Sequence, residues 1–218
     1  MFALSQKCNI FVKIPYGNIM EGIQKQIYDQ LLVWGRGKIF FAQDFTMLGT
    51  PESVRQALVA LNEDRIIVRL ARGVYCFPKI EGEYNIRTIL PTTESIAEAI
   101  AEKSRCRIVP YGDQAAFLVG FTGLQMGKYT YLTDGAPRVI RTNNTTITFR
   151  HTSEMRIFSF KNRTMQLLSL GIRAIGKEGY TPNIAAIVRE HIEKVPQEDL
   201  EHDLKLCPGW VADLIFDL

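Results

Sequence analysis

Hydrophobic positions in the first third of the chain recur at helical spacing, then at strand spacing. Ile23, Ile27, Leu31 and Trp34 fall at i, i+4, i+8 and i+11, one face of an α-helix. Asn18 with Glu21 three residues on reads as a capping box, and Gly35 and Gly37 stop the helix. Lys38-Ile-Phe-Phe41 is a short apolar strand, and Ala42–Leu48 predicts a short helix closed by Gly49. Thr50-Pro51-Glu52-Ser53 is a strong helix start, with threonine as N-cap, proline at the first helical position and a carboxylate in the first turn. Val54, Ala57, Leu58 and Leu61 then form a stripe from which Gln56 points away, with Ser53 and Arg55 on its flanks. Two β-rich runs, Ile66–Leu70 and Val74–Phe77, are joined around Ala71-Arg72-Gly73, and Pro78 closes the unit.

Alternation inside the hairpin assigns its faces. Ile66, Val68 and Leu70 turn one way and leave Arg69 on the other, while Val74 and Cys76 face opposite to Tyr75 and Phe77. The order helix, strand, helix, helix, hairpin is the plan of a winged helix-turn-helix, whose third helix buries one stripe and offers the other to the DNA major groove. Ser53, Arg55 and Gln56 are the candidate base readers, because arginine pairs with guanine and glutamine with adenine there. Arg36, Lys38, Arg69, Arg72 and Lys79 are the candidate phosphate contacts. Thr50, Gly73 and Tyr75 complete the candidate DNA-binding set, Gly73 because it permits the tight turn that puts Arg72 at the tip. The alternative is a winged-helix fold used only for protein contacts.

A second unit follows the polar link Glu81–Tyr84. Thr92 caps a helix carrying Ile96, Ala97, Ile100 and Ala101. Cys106–Val109 reads as a strand, and Tyr111-Gly-Asp113 turns into a short helix over Gln114–Val119. Lys128–Thr133, Arg138–Thr142 and Thr145–His151 predict a three-stranded meander turning at Asp134-Gly135 and Asn143-Asn144. The end is helical: Arg163–Ile175, a helix capped by Thr181-Pro182 and running to Ile192, then Gln197–Lys205 and Trp210–Phe216. The fold class is α+β: a winged helix-turn-helix domain over 1–80, then a mixed α/β domain over 85–218 that is α/β from 85 to 152 and helical from 160 to 218.

Charge sharpens this division. The chain of 218 residues has net charge +3, but residues 1–79 carry +4 and residues 80–218 carry −1. A basic front and a neutral-to-acidic back imply different partners. Residues 178–218 hold nine acids against three bases, which fits a basic protein partner as well as a solvated helix face. Cys8, Cys76, Cys106 and Cys207 are scattered without a C-x-x-C pair, so the reading is reduced thiols. No apolar run has the length of a membrane span, and the N-terminus lacks a signal-peptide pattern, so the expected location is cytoplasmic.

Catalytic signatures are weak. Gly120–Tyr129 has Thr122 and Tyr129 where a phosphate-binding loop needs glycine and a Ser or Thr hydroxyl. His151, His191 and His202 have no metal-ligand spacing, and no G-x-S-x-G elbow occurs. Glu198–Asp203 clusters four carboxylates and reads as a solvated acidic face. No catalytic centre, metal or cofactor is expected.

The pieces R-L-A-R-G-V-Y-C-F-P-K, I-V-P-Y-G-D-Q-A-A and Y-L-T-D-G-A-P-R-V-I, in that order, resemble the AbiEi-like antitoxins of type IV toxin–antitoxin systems over residues 20–150. The resemblance implies a front domain that binds inverted repeats of double-stranded DNA in its own promoter, with Thr50–Asn62 as recognition helix and Ile66–Pro78 as wing. It implies a back domain that counters a nucleotidyltransferase-like toxin. This chain departs from the family in the apolar F-L-V-G-F-T-G-L after Y-G-D-Q-A-A and in its acidic tail containing Trp210. Two copies on an inverted repeat would fit the symmetry. A one-component transcription factor whose back domain senses a small ligand is the alternative, and an enzymatic back domain a third.

Overall fold

The computed structural model describes residues 21–81, 87–123, 127–143 and 145–217. The chain is α+β. Helix α1 (Gly22–Trp34) leads to strand β1 (Ile39–Phe41), a 3-10 turn (Ala42–Phe45), helix α2 (Pro51–Glu63) and a hairpin of β2 (Val68–Ala71) and β3 (Val74–Cys76). The sheet order is β1-β3-β2, both pairings antiparallel. Asn18 lies outside the described residues. Glu21 has extended backbone and is itself the N-cap, so the predicted capping box does not form around it. The helix expected over Ala42–Leu48 shortens to the 3-10 turn, and the N–H of its N-cap residue Phe41 is held by the Asp44 carboxylate at 2.8 Å.

One face of this sheet meets α1 and α2. Ile27 and Leu31 from α1, Val54, Ala57, Leu58 and Leu61 from α2, and Phe40, Tyr75 and Phe77 from the sheet form a single core. Aromatic rings fill its centre: Phe40 stacks on Tyr75 with centroids 5.8 Å apart, and Trp34 and Phe45 close on Phe40 and each other at 5.4–6.3 Å. The other face carries Val68, Leu70, Val74 and Cys76 into a second core, with Ile96, Ala97 and Ile100 of the next unit and Tyr131, Ile147 and Phe149 of its sheet. Ile66 is the exception to the predicted alternation. It sides with the first core, because the chain turns into β2 only at Val68 and the ladder shifts register between Arg69 and Ala71.

Past Pro78 the chain continues directly into β4 (Lys79–Glu81), which pairs with β5 (Arg87–Ile89). Helix α3 (Thr93–Lys103) starts at Thr92, whose side chain accepts from Ser95 N–H, and its buried stripe is the predicted one. Then come β6 (Ile108–Pro110), α4 (Asp113–Leu118), β7 (Lys128–Thr133), β8 (Arg138–Arg141), β9 (Thr146–His151) and a 3-10 turn at Met155–Phe158. The three last strands are not a meander. Their order is β6-β7-β9-β8, with β9 inserted parallel to β7. Asp134-Gly135 turns the chain but does not make a hairpin, because Arg107 holds Asp134 through both its backbone N–H and its guanidinium, at 2.8 Å each.

Four helices complete the chain: α5 (Arg163–Gly179), non-helical at Gly176, α6 (Pro182–Ile192), α7 (Gln197–Leu204) and α8 (Gly209–Phe216). Asp203 corrects the reading of Glu198–Asp203 as a solvated face. It is fully buried and accepts from the N–H groups of Lys161 and Asn162, both at 2.9 Å, so it fixes the start of α5 to α7. Cys76 and Cys207 are buried free thiols and Cys106 a half-buried one, while Cys8 lies outside the described residues. Burial pushes the Cys76 thiol up to about 11. Among the described residues no helix is long and apolar enough to cross a membrane.

Phe40→Ala should lower unfolding free energy by about 3–5 kcal/mol, since it empties the centre of the aromatic cluster. Val33→Ala, at an 80% exposed position of α1, should stay within about 0.5 kcal/mol. Urea titrations of both variants check the contrast.

Candidate nucleic-acid interface

Helix α2 is built to present one face outward. Thr50 accepts from Ser53 N–H at 3.2 Å, the Ser53 hydroxyl returns to Thr50 C=O at 2.9 Å, and Pro51 opens the first turn. Both hydroxyls therefore serve the cap before they can serve a ligand. Opposite the buried stripe stand Glu52, Arg55, Gln56 and Glu63, all exposed.

Arg55 and Gln56 are not free on that face. Arg55 donates from Nε and Nη2 to the two oxygens of Glu52 at 2.9 and 2.5 Å, and Gln56 Nε2 donates to the same carboxylate at 3.1 Å. The Arg55 guanidinium holds the Glu52 carboxyl below the usual range, and Glu52 in turn raises Arg55. The i,i+3 and i,i+4 spacing of Glu52 to Arg55 and Gln56 is the signal in the sequence for this pairing.

Of the remaining candidates, Arg69 lies directly across the ladder from Tyr75 on edge strand β2, exposed, with its N–H donating to Asn62 Oδ1 at 2.9 Å. Its carbonyl accepts from Asn143 Nδ2 at 3.5 Å, so the loop between β8 and β9 reaches this edge too. Arg72 is exposed at the hairpin tip, and Gly73 takes the positive φ of 74° that closes the two-residue turn. Tyr75 must be removed from the set. It is 5% exposed, its ring stacked on Phe40 under α2, so its aromatic surface serves the core.

Arg36, Lys38 and Lys79 gather elsewhere, at the base of the hairpin, where Gly37 N–H donates to Phe77 C=O. Arg36 sits 4.6 Å from the centre of the Phe77 ring and donates to Pro78 C=O at 3.1 Å, so it closes the joint between α1 and β3. Lys79 lies across Gly37, its carbons 2.6–3.4 Å from where a Cβ would stand. Lys38 lines a cleft against α3. The structure thus joins Arg55 and Gln56 through Glu52, ties Arg69 to Asn62 near the C-terminal end of α2, places Arg72 at the hairpin tip, and sets the base cations at the hairpin base.

A family model matches residues 26–204, most of the chain and both units, and its description is that of a family of unknown function, DUF6088. The chain belongs to the DUF6088 family. No curated protein matches it. Among solved structures, the RV2827C protein from Mycobacterium tuberculosis is similar at 15% identity, covering 91% of this chain and 77% of that one with a TM-score of 0.50. At that identity the likeness concerns the fold of this DUF6088 protein, and it extends over the α+β whole rather than one unit.

Arg55→Ala should return the Glu52 carboxyl toward the ordinary glutamate range. An NMR titration of the Glu52 carboxyl carbon in both proteins measures the difference, and an unchanged midpoint would mean the pair does not form in solution.

Proposed function

We propose that this protein binds double-stranded DNA through a winged helix-turn-helix formed by α1, the 3-10 turn, α2 and the β2–β3 hairpin, and that it does so as an antitoxin that represses its own operon. The observation that carries the reading is the outward face of α2: Arg55 and Gln56 stand on a helix whose N-terminal cap, proline and buried stripe hold it rigidly against the sheet. In the major groove the two side chains exchange Glu52 for base edges, arginine at guanine and glutamine at adenine. Glu52, released, accepts a hydrogen bond from a cytosine amine or is held off the phosphates. Arg69 and Arg72 lie along the hairpin as wing contacts to phosphate. Arg36, Lys38 and Lys79 drop out of the first rank, because their positions serve the hairpin base and the α3 cleft.

The resemblance to AbiEi-like antitoxins supplies the rest of the proposal: two copies on inverted repeats of the protein's own promoter, a nucleotidyltransferase-like toxin as the partner of the second unit, and action in the cytoplasm. The acidic tail carrying Glu190, Glu193, Glu198 and Glu201 supports a partner with a basic surface.

Mobility shifts on the DNA upstream of the reading frame test it. Binding should weaken steeply with salt, as phosphate contacts release counterions. Arg72→Ala should weaken all sequences alike and lower the salt slope by about 1, and Gln56→Ala should alter sequence preference. Lys38→Ala should leave binding unchanged. Absence of any shift at low salt would defeat the proposal.

A further inference from the structure

Among the described residues, strand β1 pairs on one side only, with β3. Antiparallel strands alternate between residues bonded to the neighbour and residues bonded away from it. Lys38 C=O accepts from Phe77 N–H, and Ala42 N–H donates to Gly73 C=O, so these positions face β3. Phe41 N–H points the other way, to Asp44. By the same alternation Ile39 turns its N–H and C=O to the outer edge. Beside that edge runs a cleft of about 600 Å³, with Ile39 and Phe41 on one side and Ser95, Glu98, Ala99 and Glu102 of α3 on the other. Its lining runs from Gly37 to Asp44 along one wall and from Ser95 to Arg105 along the other, so strand and helix flank it lengthwise. Lys103, at the end of α3, pairs with Asp44 and lies 5.6 Å from the centre of the Phe41 ring, which closes the cleft at that end.

We propose that this cleft takes an extended peptide segment of another protein, added as a strand beside β1 and carrying basic side chains two residues apart. A free strand edge offers main-chain hydrogen bonds to any extended chain. Pleating sends alternate side chains of the guest to the face on which Ile39 and Phe41 point. That face belongs to α3, since both residues pack with Ile96, Ala97 and Ile100. The guest's side chains there meet Glu98 and Glu102. One helical turn sets these carboxylates about 6 Å apart along α3, and two residues of strand advance about 6.7 Å, so each carboxylate faces one side chain of the guest. Glu102 has no ion partner among the described residues, and Glu98 has only a 4.0 Å approach from Arg163, whose closer partner is Glu94. The cations of the lining stand off the middle of this wall: Lys103 is held by Asp44, Lys38 precedes β1 and Arg105 follows α3. The small side chain of Ala99, beside Glu98, leaves room for the guest's backbone. A chain of net charge +3 exerts no general pull on a basic peptide, so such a preference reports these two carboxylates. The front unit supplies β1 and the back unit supplies α3, so the guest touches both.

NMR of the full chain tests this with a synthetic peptide capped at both ends, Thr-Lys-Thr-Lys-Thr, and with its acidic counterpart, Thr-Glu-Thr-Glu-Thr. The lysine peptide should shift the Ile39 amide resonance and slow its hydrogen exchange at least about 10-fold. It should bind at least about 10-fold more tightly than the glutamate peptide, whose charges oppose the wall. Glu98→Gln combined with Glu102→Gln should weaken the lysine peptide about 5-fold. Ala99→Arg, which fills the cleft from α3, should abolish its binding. The Phe41 amide, bonded to Asp44, should stay protected in both variants and report an intact fold. No change at Ile39 with millimolar lysine peptide overturns the proposal. Equal binding of the two peptides overturns it, and so does binding indifferent to the double substitution. An Ile39 amide already protected in the protein alone would mean that the edge is occupied without a guest. Protection that falls on dilution would assign the edge to a second copy. Either result overturns the assignment to a foreign peptide.

Discussion

Strand β3 is three residues long and has two cores to satisfy. Tyr75, with Phe77 just beyond the strand, points at α1 and α2, while Val74 and Cys76 point at α3 and the second sheet. A shift of one residue in its register would exchange those sets, placing a phenol where a thiol fits and a valine under α2. Everything functional in the front unit hangs on that alternation. The outward face of α2 is outward only because its other face lies on Tyr75 and Phe77. The hairpin tip is held in place because both of its sides are covered. The division of the chain into a front unit and a back unit is a division of surface, since the interior runs through both.

The electrostatics of α2 carry a second constraint. Glu52 is a competitor built into the helix, offering Arg55 and Gln56 a partner whenever no ligand is present. Were DNA the ligand, as proposed, it would have to displace Glu52, and the displaced carboxylate would repel phosphate unless it found a donor. Under that proposal the arrangement would cost affinity for any duplex and return part of it only where a base accepts the rearranged set, favouring discrimination over tight unspecific binding.

Much of this was legible in the residues. The cap and stripe of α2 follow from Thr50, Pro51 and four apolar positions, and the two faces of β3 follow from period-two alternation. What alternation leaves open is what covers each face, so Tyr75 enters the candidate DNA-binding set although its ring belongs to the core. The insertion of β9 between β7 and β8 was illegible for a different reason. Parallel pairing has no local turn chemistry, and the good turn dipeptide Asp134-Gly135 is consistent with either topology. Asp203 shows the same gap: a carboxylate in an acidic run carries no sign in sequence that two distant backbone N–H groups need it. The separation of Lys38 and Lys79 from Arg55 was likewise beyond reach, because proximity in sequence to a hairpin does not say which end of it faces α2.

The shared interior bears on how the gene would be dissected. A fragment cut after residue 80 would retain the whole outward face of α2, yet it would leave Val68, Leu70, Val74 and Cys76 uncovered on one side of its sheet. Such a fragment would be prone to stick to itself and to membranes or chaperones, and its failure in a functional assay would look like loss of the proposed recognition. Point substitutions on the surface of α2, made in the intact chain, separate recognition from solubility where truncation conflates them.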